Sequence, residues 1–127
     1  MKYYVSKEKM QEYMDLSIDD KDLFPDNAPN GLDFLKLKGE PGNNVVLTKE
    51  SAMKAIDKYL SGQATLDRLI RWADTMMMSH LFDWEDETDD TLQKAISDID
   101  DLDSPEVSGV SEGSEYETIK SIRGTLG

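Results

Sequence analysis

The side chains of this 127-residue chain that could do chemistry are mostly carboxylates. There are 27 Asp and Glu against 14 Lys and Arg, one histidine and no cysteine, for a formal charge of −13. Without cysteine there is no disulfide framework, no thiolate zinc site and no cysteine nucleophile. With His80 as the one histidine, no histidine pair exists for a metal. HExxH, GxSxG and GxxxxGK[ST] are all absent. Carboxylate pairs abound, but among this many acids a pair arises by chance and does not mark an acid/base couple. His80 stands one turn before Trp84 and reads as a helix C-terminal histidine favoured by the dipole, paired with Asp83 or Asp74. The expected chemistry is therefore binding, with no enzymatic activity, no catalytic residue and no cofactor.

Calcium is the first ligand such acids suggest, and the EF-hand template tests it. From Asp83, positions 1, 3 and 5 are Asp83, Glu85 and Glu87. Position 6 is Thr88 where the turn needs glycine, and position 12 is Lys94 where a bidentate glutamate belongs. Frames from Asp20 and Asp98 fail sooner, on Phe24 and Leu102. No metal ligands are assigned.

The charge is concentrated. Residues 1–82 carry 11 basic and 13 acidic side chains, whereas residues 83–117 carry one basic (Lys94) and 14 acidic. Solubility alone would allow those charges to be scattered. Asp83, Glu85, Asp86, Glu87, Asp89 and Asp90 precede a predicted helix, where the macrodipole favours carboxylates. Asp98, Asp100, Asp101 and Asp103 crowd its far end, where each costs roughly 0.3–1 kcal/mol at low salt. Asp98 and Asp101, at i and i+3, add a repulsion of a few tenths of a kcal/mol. The band reads as a charged recognition face, with a solvated acidic flank as the plain alternative. A net charge of −13 argues against nucleic acid and anionic membranes as partners and for a basic protein. Trp84, inside the band, reads equally as core or as an interface anchor. Met76–Met78 fit core filling better than an adaptable binding surface.

The elements that must position these groups are helical. Ser6 caps a helix over about 7–17 with Met10, Tyr13, Met14 and Ile18 on one face. An irregular insertion at about 19–44 follows, with Leu32–Lys38 readable as a strand or a helical turn. Thr48 caps a second helix through Ala52, Ala55, Ile56, Tyr59 and Leu60, stopped by Gly62. Thr65 caps a third over about 66–82, with Leu66, Leu69, Ile70, Ala73, Met77 and Leu81 on one stripe and Trp72, Met76 and Phe82 off it. A fourth, about 91–102, turns Leu92, Ala95, Ile96, Ile99 and Leu102 inward and ends at Ser104-Pro105. Ser111 caps a fifth, about 112–123, carrying Tyr116, Ile119 and Ile122, with Gly124 and Gly127 at a frayed end. Short connections make the expected fold a single all-α domain over 1–127, an antiparallel bundle of four to five helices. The opening MKYYVSKEKMQEYM has no apolar h-region and no small-residue cleavage site, so a cytoplasmic location is expected.

Ser51–Asp74 (SAMKAIDKYLSGQATLDRLIRWAD) resembles the small acidic helical immunity proteins of bacterial toxin systems, the colicin D immunity-like and contact-dependent growth inhibition groups. The similarity covers about 24 residues: a helix ending in YLSG, a turn with a Thr cap, and a helix running LDRLIRWAD. The resemblance implies a cytoplasmic antitoxin, monomeric in a 1:1 complex, that binds the basic C-terminal nuclease domain of a cognate toxin, often a tRNA-cleaving one. A ribonuclease site is basic because it holds phosphates, and carboxylates can take their place. The partner-binding residues are expected to be Asp83, Trp84, Glu85, Asp86, Glu87, Asp89, Asp90, Asp98, Asp101 and Asp103. Two other classes remain: a nucleic-acid mimic that inhibits a DNA-binding protein, and a non-catalytic acidic adaptor domain.

Overall fold

A computed structural model of the protein describes residues 3–25, 28–31, 37–39, 45–78, 82–84, 90–104, 106, 109 and 113–126, with the backbone alone at 20, 78 and 84. The order is β1 (Tyr3–Val5), α1 (Lys7–Met14), a 3-10 turn (Asp20–Leu23), β2 (Leu37–Gly39), β3 (Val45–Leu47), α2 (Lys49–Leu60), α3 (Leu66–Met78), β4 (Phe82–Trp84), α4 (Asp90–Asp100), a second 3-10 turn (Asp101–Asp103) and α5 (Glu115–Leu126). The chain is mostly helical, as its periodicity predicts, but not all-α. β1 pairs in parallel with β2, Tyr3 opposite Leu37, and β3 pairs in parallel with β4, Val45 opposite Phe82. Three residues are too few to display a strand's alternation, and the partners lie far apart in sequence, so neither ladder leaves a local signal. Leu37–Gly39 settles part of the Leu32–Lys38 question as strand. Residues 32–36 lie outside the described residues.

Helix ends follow their caps. The Ser6 side chain accepts from the Lys9 N–H at 3.3 Å, Thr48 from Ser51 at 3.1 Å and Thr65 from Arg68 at 3.2 Å. Gly62, at φ +85°, follows α2 in the left-handed conformation expected of a stop. α1 ends at Met14 rather than residue 17, because Leu16 turns the backbone at φ +61°. That turn is clamped from α3. The Trp72 indole N–H donates to the Met14 carbonyl at 3.0 Å, Arg68 donates to the Leu16 carbonyl at 3.2 Å, and the Arg68 guanidinium sits 3.0 Å from Asp19. Carbonyls that a helix C-terminus leaves without an intrahelical partner are thus satisfied by side chains of another helix.

The clamp explains a rotation of α3 relative to expectation. Its buried residues are Leu69, Trp72, Ala73, Thr75 and Met76, while Met77 is 38% exposed. The helix is apolar over a wide arc, and spacing alone does not say which sector faces inward; seating Trp72 against α1 turns Met77 out. α3 is described as far as Met78, and Phe82, predicted on this helix, belongs to β4. His80 and Leu81 lie outside the described residues.

α4 keeps every inward residue predicted for it, with Leu92, Ala95, Ile96, Ile99 and Leu102 buried. α4 packs on α3 and on α5, and α5 packs on α2. α5 starts at Glu115 rather than 112 and runs through Gly124 to a buried Leu126, so Gly124 is not a frayed end. Ser111 and Gly127 lie outside the described residues. Tyr116 stays 44% exposed; its hydroxyl donates to the Leu60 carbonyl at 3.3 Å and its ring lies 6.0 Å from that of Tyr59. The Arg123 guanidinium reaches Asp57 at 2.9 Å and ties α5 to α2. Among the described residues no helix is long and apolar enough to cross a membrane.

Candidate functional site

The periodicity that buries Leu92, Ala95, Ile96 and Ile99 leaves the carboxylates of α4 on its outer sectors and at its ends. Asp90 opens the helix and is exposed. Asp83 is the middle residue of β4, exposed, in register with Val46. The far end holds Asp98, Asp100, Asp101 and Asp103. At 1.5 Å per residue, about 15 Å of helix axis separates Asp90 from Asp100. Among the described residues the carboxylates of the predicted face therefore fall into two groups at opposite ends of α4. Trp84 belongs to β4, and Glu85, Asp86, Glu87 and Asp89 lie outside the described residues.

The C-terminal group is the better defined. Asp98 is not a bare charge: the Lys94 ammonium lies 3.0 Å away, an i,i+4 pair that offsets the repulsion expected from Asp101. Asp100, the last residue of α4, is half-buried. Its carboxyl is pushed up to about 6, chiefly by burial, then by the charge of Asp74 and the hydrogen bond with it, then by Asp101 and Asp103. Asp103 is exposed and Asp101 partly so. Sequence reading included neither Asp74 nor Asp100 among the binding residues. The available signal was that each directly follows a buried alanine or isoleucine, Ala73 and Ile99, on helices that pack together.

This arrangement can attract and orient cations. Among the described residues no group of three or more His, Cys, Asp or Glu is placed to hold a metal ion. An open hollow of about 330 Å³ between α1 and the first 3-10 turn is lined by Lys9, Glu12, Ile18, Lys21, Asp22 and Phe24, and its mixed charges select neither anion nor cation.

No family model, curated protein or solved structure matches the chain.

Proposed function

We propose that the chain is an immunity protein, an antitoxin that binds the basic active site of a cognate bacterial nuclease toxin, with a tRNase as the favoured target. One observation carries this reading: 14 acidic side chains against one basic in residues 83–117, four of them gathered where α4 ends. Carboxylates held together against their own repulsion give up stability, which a binding surface recovers when a cationic partner arrives. In this reading Asp98, Asp101 and Asp103, with the acids at the other end of α4, occupy the toxin's phosphate subsites. The charge steers encounter, and buried anchors such as Trp84 supply most of the affinity. Inhibition is occlusion, without chemistry on the toxin, by a cytoplasmic monomer in a 1:1 complex. Its helices form an antiparallel bundle that holds the face rigid.

The test uses the neighbouring gene's product, if it ends in a basic nuclease domain. Inhibition of its RNA cleavage is measured with wild type and with Asp98, Asp101, Glu85 and Glu87 all changed to Lys. The variant is expected to keep its helical circular dichroism and to lose inhibition, and wild-type affinity is expected to fall steeply between 50 and 300 mM salt. Normal inhibition by the variant would overturn the acidic-face reading. Capture of a DNA-binding protein instead of a nuclease would replace it with the nucleic-acid-mimic reading.

A further inference from the structure

Two helices of the chain end in the same hydrogen-bonded turn. At the end of α2 the Gly62 N–H donates to the Tyr59 carbonyl at 3.0 Å and the Gln63 N–H to the Lys58 carbonyl at 2.8 Å, with Gly62 at φ +85°. At the end of α1 the Leu16 N–H donates to the Tyr13 carbonyl at 3.0 Å and the Ser17 N–H to the Glu12 carbonyl at 2.7 Å, with Leu16 at φ +61°. Such a stop suits glycine, because a Cβ crowds the following carbonyl when φ is positive. Among the described residues Leu16 is the only non-glycine residue with a positive φ. Leucine is also a good helix former, so the local preference at this position is to continue α1.

What opposes that preference reaches over from α3. The last carbonyl of each helix, Met14 in α1 and Leu60 in α2, accepts from an aromatic side chain of another helix, Trp72 and Tyr116 respectively. α1 has a second restraint. Arg68 donates to the carbonyl of Leu16 itself at 3.2 Å while its guanidinium lies 3.0 Å from Asp19, so one side chain spans the turn. The Leu16 side chain is also buried, which anchors the turn in a way a glycine could not. We infer that the end of α1 is a conditional stop: Leu16 keeps its left-handed conformation while Arg68 and Trp72 hold the turn, and passes into right-handed helix when they let go.

The turn joins the two walls of the open hollow of about 330 Å³. Lys9 and Glu12 line it from α1, before Leu16, and Ile18, Lys21, Asp22 and Phe24 line it from the segment after Leu16. A right-handed Leu16 prolongs α1 and redirects the second wall relative to the first. The shape of the hollow therefore depends on the grip of α3 on the turn. The Arg68–Asp19 pair is partly exposed, so added salt weakens it and acts on the same switch.

The test needs no partner, because Leu16 reports its own state by NMR. Positive φ brings the amide proton of a residue close to its own Hα, whereas a continuing helix brings Met14 Hα close to the Ser17 amide. Wild type is expected to show the first contact and lack the second. In Arg68→Met, and in Trp72→Phe, the first is expected to be lost and the second to appear; wild type at high salt should move partway. In Arg68→Met combined with Leu16→Gly the Met14–Ser17 contact is expected to stay absent, since glycine accepts the stop unaided. Leu16 unchanged in both single variants, loss of its left-handed signature without the Met14–Ser17 contact, or a prolonged helix in the glycine variant would overturn the conditional stop. If Arg68→Met does not fold, Trp72→Phe and the salt series decide by the same two contacts.

Discussion

Trp72 joins α3 to the first half of the chain. It is fully buried, and its indole N–H donates to the Met14 carbonyl at 3.0 Å. Trp72→Phe keeps an aromatic ring but removes that donor and about 40 Å³ of side chain. At ~24 cal/mol per Å³ the cavity costs about 1 kcal/mol. Leaving the Met14 carbonyl without its partner costs about 1–3 kcal/mol more. The expected loss is about 2–4 kcal/mol, within the roughly 5–15 kcal/mol that a domain of this size possesses. The variant therefore stays folded with a clearly lower urea midpoint and an unchanged slope, read by circular dichroism. Thermal unfolding should fall by about 10 °C. A loss below about 1 kcal/mol would refute the clamp as the device that seats α3 on α1.

Other perturbations test separate parts of the architecture. Thr48→Ala removes the cap of α2 and should cost about 1 kcal/mol in urea unfolding, with most of that restored by Thr48→Ser. Asp57 and Arg123, both partly exposed, should couple by no more than about 1 kcal/mol in a double-mutant cycle, and the coupling should fade by 0.5 M salt. Leu126→Ala should cost about 2 kcal/mol despite its position in the last turn of α5, since Leu126 is only 6% exposed. Asp100→Asn should gain roughly 1 kcal/mol over wild type at pH 7.5, a figure already discounted for the solvent around this half-buried group. The gain should shrink towards pH 4.5 as the wild-type carboxyl takes up its proton.

What the sequence made readable was whatever is encoded within one turn of chain. The caps at Ser6, Thr48 and Thr65 and the inward face of α4 depend on residues three or four apart, and all stand as expected. The left-handed Leu16 was not readable, because a leucine there is held by Arg68 and Trp72 from more than fifty residues away. The orientation of α3 failed for the same reason: its wide apolar arc gave several admissible faces, and the choice belongs to α1. The acidic band was evident as a run of charge, but a run has no geometry. The division of its described members between the two ends of α4 follows from helix length and packing.

The two parallel ladders bear on the order in which the chain assembles. Tyr3 must find Leu37 and Val45 must find Phe82, each closing a loop of roughly 35 residues for only three residues of pairing. So little hydrogen bonding does not repay that closure entropy until the intervening helices have drawn the ends together. The strands should therefore zip up last, after α1 has docked and after α2 and α3 have met. In kinetic experiments, substitutions at Val5 or Leu47 would then mainly hasten unfolding, whereas substitutions at Ile56 or Leu69 would slow the forward reaction.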